Sequence, residues 1–599
     1  MDSILTTNSM KFTNDMTIDK VFEQTVEKYP NSIAIKSKNK SYNYETINIL
    51  ANQLAHFIKK KGIKPEDKIG ILLDRSVELG ISILAVLKVG CTCVLIDSEL
   101  PKERVKNFIL EADLKAIISD NPWISMVSFF EGNKIICNLD YAFPYGELKS
   151  NLNIEIDIHD PAFIFFTSGS SGKPKGVIIT HGAIINDTHP EVAQPALDAN
   201  DTFLMTSPVG STRITGELFY PWFAGTKIII LPDENSKNIK KLIQIIYEEN
   251  ITVIFIVPTM LRTLLNDEDV MKCKCLKFVH SLGEKLPKSL RDKFREILDA
   301  QLINIYGQTE AGICTMHFCD TNSQESYVTS GKPVINRCIY ILDDNLQPVK
   351  NGDVGNIYIG GSYLATGYLN DVMLTTERFV KDTISLSSTA IMYKTGDVGR
   401  INSKSNLEYL GRDDQIVKVS GNRVSLLEIE AILLSYDFVQ DAVVKVTENN
   451  FSETMLVAVI ETDLPEQLKN TNWRKRLEAK IPTYMIPNKF IFVKEFPKLQ
   501  SGKVDHQNIL EKIIKNNQDI NEKQKMTIME NKIAELWCEI LQIPQNGIKL
   551  EDKFLELGGN SILSVKCIAE IEKKFQNKIE FNVFYNATLK ELANIIQEF

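Results

Sequence analysis

The sequence is 599 residues long, 44% hydrophobic and 24% charged, and carries a formal net charge of −9. One hydrophobic core does not serve a chain of this length, so several domains are expected. The acidic balance excludes a nucleic-acid binder that relies on a basic, phosphate-contacting face.

In chain order, the opening MDSILTTNSMKFTNDM has no basic region followed by an apolar core. No secretory leader is expected, and the cytoplasm is the expected compartment. Apolar residues at helical spacing predict helices in VFEQTVEKYP (21–30) and ETINILANQLAHFIKKKG (45–62). Short β-branched runs predict buried strands in KIGILLD (68–74) and CTCVLID (91–97). The longest apolar stretch, ISILAVLKVGCTCVLI (81–96), is broken by lysine and glycine and is too short to span a bilayer. Among the ten cysteines, the close pairs Cys91/Cys93 and Cys273/Cys275 have no histidine at zinc spacing, so reduced, buried thiols are expected. Strands alternating with helices continue through TKIIILP (226–232) and ITVIFIVP (251–258) to about residue 410, which predicts α/β layers with a largely parallel sheet. Residues 411–510 read as a smaller α+β domain. EKIIKNNQDINEKQK (511–525) is polar and glycine-free, as suits a linker. The remainder is helically periodic and predicts a small bundle.

The strand AFIFF (162–166) runs into TSGSSGKPKG (167–176). Gly169 and Gly172 let backbone N–H groups approach an anion, Thr167, Ser168, Ser170 and Ser171 add hydroxyl donors, and Lys173 and Lys175 supply positive charge. A Walker A loop is excluded. Two residues rather than four separate Gly169 from Gly172, and proline follows Lys173 where Ser or Thr would bind Mg2+. The segment reads as a phosphate cradle, with a flexible surface loop as the bland alternative.

TSGSSGKPKG resembles the phosphate-binding loop of the adenylate-forming superfamily (acyl-CoA synthetases and luciferases), and specifically that of nonribosomal peptide synthetase adenylation domains. Further core motifs of that family have counterparts in the same order. They are DRSVELGISILAVLKVG (74–90), INIYGQTEAG (303–312), YKTGDVGR (393–400), GRDDQIVKVSGNRVSLLEIE (411–430) and FPKLQSGKVD (496–505). The resemblance covers nearly the whole chain.

It implies attack of a carboxylate on the α-phosphate of ATP, giving an acyl-adenylate and pyrophosphate. This in-line substitution needs mainly alignment and charge neutralisation. By resemblance, Glu310 binds Mg2+ through a hard oxygen, Tyr306 flanks the adenine and Thr309 meets the α-phosphate. Asp397 would accept both ribose hydroxyls, Arg412 would reach ribose or phosphate, and Lys503 would stabilise the oxyanions of the transition state. Read singly, Asp397 is equally a structural acid and Lys503 a solvated cation; the order of the motifs decides. Asp414 aligns with the hinge about which the family's small domain turns.

The acyl pocket departs from the family pattern. Members that activate amino acids pair an aspartate with the substrate's α-ammonium group. Counting back without gaps from Gly225, that position falls on Thr212 of PVGSTRITG (208–216), a stretch with no acid. A hydroxyl does not neutralise a buried ammonium, so a substrate without an α-amino group is expected. Glu217, the nearest acid, matches a different family position. The same comparison places Arg213, Gly216, Phe255, His280, Leu282, Ile305, Ile313 and Cys314 around the acyl group, with Gly216 leaving room. An aryl or hydrophobic acid with one polar substituent suits this lining, with His280 or Arg213 as partner. Arg213 turned to solvent and His280 as a core residue remain the plain alternatives, and a medium-chain acid or an amino acid recognised unusually stays open.

DKFLELGGNSILSV (552–565) resembles the attachment site of peptidyl and acyl carrier proteins, whose serine receives 4′-phosphopantetheine from a separate transferase. Ser561 is therefore the expected attachment point. GGNS is not the nucleophile elbow GxSxG, and the bundle region has no histidine. Serine also caps helices, and one residue can do both. Ile562, Val565, Ile568, Ile571 and Phe575 are predicted to form the buried stripe of the helix that follows.

The expected fold is α/β: a large adenylate-forming N-terminal domain with mixed sheets (1–410), a small mobile α+β subdomain (411–510), a linker (511–526) and a four-helix-bundle carrier (527–599). The expected enzyme is an acid–thiol ligase that uses ATP, Mg2+ and 4′-phosphopantetheine and loads an acid onto its own carrier for nonribosomal peptide or related secondary-metabolite biosynthesis. No condensation, thioesterase or reductase domain is expected among these residues. The expected partners are thus a phosphopantetheinyl transferase and a condensation, ketosynthase or tailoring enzyme acting in trans, with neither nucleic acid nor membrane. A free acyl-CoA ligase would need no carrier, and a luciferase-like oxidase would depend on oxygen. A catalytically dead scaffold would be free to lose Lys503, Asp397 or Glu310, and all three are present.

Overall fold

The run Lys68–Leu72 buries four residues in succession and Thr92–Leu95 buries all four, the pattern of strands covered on both faces. The two pair in parallel, with Ile69 opposite Cys93 and Ile71 opposite Leu95. They lie within a seven-stranded sheet that also holds Ala116–Ser119, Asn133–Ile136, Pro161–Thr167, Lys175–Thr180 and Gly367–Tyr368. The helix Val77–Lys88 is buried around its whole circumference. This computed structural model describes residues 3–13, 16–37, 40–140, 143–167, 174–232, 238–319, 328–385, 389–412, 416–419, 421–436, 438–448, 454–463, 473–496, 509–510, 526–543, 548–559 and 561–597.

A second, nine-stranded sheet carries six adjacent parallel strands, Ile33–Ser37, Lys227–Ile230, Thr202–Met205, Val253–Ile256, Phe278–Leu282 and Gln301–Gln308. Parallel neighbours need long crossovers, and Arg213–Phe223, Ile239–Glu248, Pro258–Leu265 and Lys288–Ile297 supply them. Gln301–Gln308 then turns back antiparallel into Gly312–Phe318. The turn requires glycine: a Cβ on Gly307 would lie 2.3 Å from the Gly312 carbonyl oxygen. A third, six-stranded antiparallel sheet centres on Ile391–Ile401 and sets Asp397 opposite Arg412. Ligand sites in such layers form beyond the carboxyl ends of the parallel strands, and Phe255 and Leu282 stand at or next to those ends, with Ile305 level with Leu282 on the neighbouring strand.

The chain divides into two compact units. One comprises the described residues up to Arg412; the other comprises those from Ile416 on, together with Asn238 and Ile239. In the second unit, Asp441–Glu448, Thr454–Glu461 and Lys489–Val493 form a sheet, and Trp473 is packed among Tyr436, Phe438, Phe490 and Phe492. A separate core gathers the helices Ile528–Leu541, Ser561–Phe575, Phe581–Asn586 and Leu589–Gln597 around Trp537, Phe554 and Phe584. Thr527 and Glu530 start the first of these with a reciprocal capping box.

Of the stripe expected on Ser561–Phe575, Ile571 is fully buried and Ile568 and Phe575 pack against the core, whereas Val565 is only half-buried and the side chain of Ile562 lies outside the described residues. Ser564 and Cys567 are fully buried too, and Leu563 packs at the flank. The small Ser564 and Cys567 let the helix approach its neighbours closely, so the bulkier apolar residues fill the edges. None of the ten cysteines forms a disulfide, and burial pushes the Cys91 thiol up to about 12. No helix among the described residues is long and apolar enough to cross a membrane.

Candidate active site

The hairpin that brackets the glycine-rich loop ends on Thr167 opposite Lys175. Burial leaves the Thr167 hydroxyl without a hydrogen-bond partner. Lys175, itself only 7% exposed, extends to a fully buried carboxylate: its Nζ lies 3.1 Å from Oε1 of Glu310. Tyr368 completes the group. It accepts from Lys175 Nζ at 3.0 Å and donates to Glu310 Oε1 at 2.9 Å, while its ring lies 4.2 Å from the ammonium. Thr309 stands half-buried beside Glu310. Sequence reasoning missed Tyr368. It stands in SYLATGYLND (362–371), beside no charge that would single it out.

Asp397 is 1% exposed and accepts three donors: Tyr306 Oη and Gln308 Nε2 at 2.6 Å on Oδ2, and Arg412 Nη1 at 2.6 Å on Oδ1. Tyr393 holds the far end of Gln308. Burial, with the Asp397 charge second, pushes the Tyr306 phenol far above its ordinary range, so it stays a neutral donor. A carboxylate offers about four lone-pair sites. One is left for a further hydrogen-bond donor.

The acyl-side residues fall into two groups. Gly216 opens the helix Arg213–Phe223 toward Phe255, and a Cβ at 216 would sit 3.1 Å from the Phe255 ring. The room expected at Gly216 is therefore filled by Phe255 itself. Phe255 meets His280 edge-on, with ring centroids 4.9 Å apart, and Leu282 packs on the same cluster. His280 is 1% exposed, its ring nitrogens make no well-formed hydrogen bond, and burial pushes it down to about 3. It is a neutral, unsatisfied imidazole rather than a satisfied core histidine.

The second group lies on the neighbouring hairpin, where Ile305 pairs with Leu282 across the sheet and Ile313 stands opposite Gly307. Cys314 is set apart from both groups, packed with Tyr306 and Ala311. Thr212 occupies the N-cap position of Arg213–Phe223, with its carbonyl engaged by Thr215. Arg213 is not turned free into solvent: burial lowers its pKa, opposed by Glu217 and Glu284, and its Nε donates to Ser211 at 3.2 Å.

Glu217 is 0% exposed and fully occupied. It accepts from the Thr206 and Ser207 amides at 2.9 and 2.8 Å and from both hydroxyls. Ser168, Gly169, Ser170, Ser171, Gly172, Asp414 and Lys503 lie outside the described residues, as does the side chain of Ser561, whose backbone opens the helix Ser561–Phe575.

Comparison with known proteins gives this geometry a context. A family model for AMP-binding enzymes matches residues 22–369, one for the AMP-binding enzyme C-terminal domain matches 428–503, and one for a phosphopantetheine attachment site matches 531–596. The chain belongs to the AMP-binding enzyme family. It is similar to Tyrocidine synthase 3 of Brevibacillus parabrevis, 31% identical over 98% of this chain and 9% of that protein. To Gramicidin S synthase 2 of Aneurinibacillus migulanus it is 33% identical over 98% of this chain and 13% of that protein. The chain thus spans about a tenth of the length of these relatives. A solved NRPS protein containing adenylation and PCP domains, bound to a vinylsulfonamide inhibitor, superposes with a TM-score of 0.81 at 21% identity. The match covers 97% of this chain and 96% of that one. The fold is that of an adenylation–carrier di-domain.

This AMP-binding enzyme uses ATP with Mg2+, and its attachment site carries 4′-phosphopantetheine. The residues present fit these groups. Lys175 marks a cation position beside Glu310, whose carboxylate is the hard-oxygen donor Mg2+ prefers. Thr167 offers its orphaned hydroxyl where phosphate oxygens are expected.

Proposed function

We propose that the chain activates a carboxylic acid without an α-amino group, aryl or otherwise hydrophobic, and passes it as a thioester to the phosphopantetheine arm on Ser561. The observation that carries the substrate class is the state of Glu217. Thr212 offers no charge for an ammonium group, and the nearest acid has its two oxygens taken by two amides and two hydroxyls. An α-ammonium drawn into this site would lose water without gaining a charge partner. The Phe255–His280 pair supplies two aromatic rings set edge to face and an imidazole with no well-formed hydrogen bond, which suits a ring bearing one hydrogen-bonding substituent.

In this reading Thr167 and Lys175, with Ser168, Gly169, Ser170, Ser171 and Gly172, hold the phosphates. Glu310 holds Mg2+, which neutralises charge on the phosphoryl oxygens when bound. Thr309 meets the α-phosphate, Tyr306 and Asp397 take adenine and ribose, Arg412 backs Asp397, and Lys503 meets the oxyanions. Thr212, Arg213, Gly216, Phe255, His280, Leu282, Ile305 and Ile313 form the acyl pocket. Asp414 is the hinge. The thioester then serves a partner catalysing the next step, after a phosphopantetheinyl transferase has installed the arm. The test is ATP–pyrophosphate exchange with aryl, fatty, hydroxy and amino acids. Strong exchange with an ordinary α-amino acid alone overturns the substrate class.

A further inference from the structure

One buried ion pair lies behind the acyl pocket and takes no part in the chemistry above. Asp187 stands near the end of the helix His181–Thr188, and its Oδ2 accepts the backbone amide of Ile313 at 2.9 Å. Arg337, 0% exposed, sits 3.7 Å from Oδ1 of the same carboxylate. Its guanidinium also donates to three carbonyls: Ala311 at 3.0 Å, Ser362, and Tyr363 at 3.4 Å. Asn336, the residue before Arg337, donates to Asn186, the residue before Asp187, at 2.8 Å. Two adjacent side-chain pairs therefore join the helix end to the strand Arg337–Leu342. Between them lies the turn Ala311–Ile313, which leads from Glu310 to Ile313 of the acyl pocket. Gly312 is fitted to this arrangement, since a Cβ there would lie 2.2 Å from the Asp187 carboxylate.

We propose that Asp187 and Arg337 are positioning residues that fix the turn Ala311–Ile313 and thereby set the acyl-facing side of the pocket at Ile313. The pair grips both ends of the turn: Arg337 takes the Ala311 carbonyl and Asp187 takes the Ile313 amide. Breaking a buried pair by removing one partner leaves the other charge uncompensated, so loss of either residue releases the turn. Glu310, one residue before the turn, has its own supports in Lys175 and Tyr368. The consequence is selective, falling on the acid and not on the nucleotide. This inference rests on the acyl-pocket reading of Ile313 but not on which acid fills it.

The experiment is pyrophosphate exchange with the full chain, using whichever acid of the panel the unaltered protein accepts best. Failure of every acid with the unaltered protein would count against the function itself and not against the clamp. With Asp187→Asn, the KM for the acid is expected to rise about fivefold to tenfold while the KM for ATP stays within about twofold, the scale of one charged hydrogen bond. Arg337→Lys, which keeps the charge but cannot reach three carbonyls, is expected to give the same split and serves alone if Asp187→Asn does not fold. A fall in kcat with the acid KM unchanged in the folded variants would show a purely structural pair and overturn the proposal. An equal rise in both KM values would also overturn it.

Discussion

Tyr368 shares one hydroxyl between an ammonium and a carboxylate and so holds Glu310, the proposed Mg2+ ligand, in place. Tyr368→Phe removes that oxygen and keeps the ring over Lys175. Pyrophosphate exchange titrated with Mg2+ should then need more metal for half-maximal rate and run about fivefold to tenfold slower, the cost of one buried hydrogen bond. An unchanged Mg2+ titration would contradict this. His280 carries the clearest pH prediction. Its folded pKa lies near 3, below the ordinary 6.5. As pH falls through 6.5 the unfolded chain takes up a proton that the folded chain refuses, so this residue withdraws stability on acidification. His280→Phe should therefore lose about 2 kcal/mol less than the unaltered protein between pH 7 and 5, read from denaturant curves. The acid KM should show no inflection near 6.5 that vanishes in that variant. Both residues illustrate what the sequence conceals: Tyr368 looks like an apolar strand end, and nothing in a one-letter string reports that an imidazole is unpartnered.

At the scale of elements, the turn Gly307–Gly312 carries more constraint than its composition suggests. Gly312 adopts φ +63°, and a Cβ there would meet the Asp187 carboxylate. Gly312→Ala adds an unfavourable backbone conformation to a steric conflict and should cost at least about 2 kcal/mol in denaturant unfolding, with loss of exchange activity. A variant as stable as the parent would refute the close approach. The buried strands were legible from the sequence because apolar runs such as KIGILLD allow little else. The helix Ser561–Phe575 was legible only in part, since Ile568, Ile571 and Phe575 pack as the pattern predicts but two small residues do as well. Hydropathy chose the bulky apolar residues, whereas close packing put Ser564 and Cys567 innermost. Gly216 misled in the same way: a missing side chain read as space, but a neighbouring strand's Phe255 fills it. Pairings between distant segments, such as Asp187 with Arg337, leave no local pattern to read.

For the whole molecule, the order of family matches, AMP-binding enzyme, its C-terminal domain and an attachment site, follows the order of chemistry from activation to thioester. Within the second unit, Arg474 lies over the Tyr585 ring at 4.3 Å and donates to its hydroxyl at 2.7 Å, linking the small subdomain to the helical bundle. If this contact serves loading, Arg474→Ala should slow thioester formation severalfold and leave pyrophosphate exchange unchanged; a fall in both would place the defect elsewhere. The central claim joins substrate class to destination, and intact-protein mass spectrometry reads both at once. The phosphopantetheinylated chain is incubated with ATP, Mg2+ and a mixture of aryl, fatty, hydroxy and amino acids, beside a Ser561→Ala control. The account predicts the added mass of an acid without an α-amino group, absent from the control. An adduct of an ordinary α-amino acid, or an adduct that survives Ser561→Ala, would contradict it.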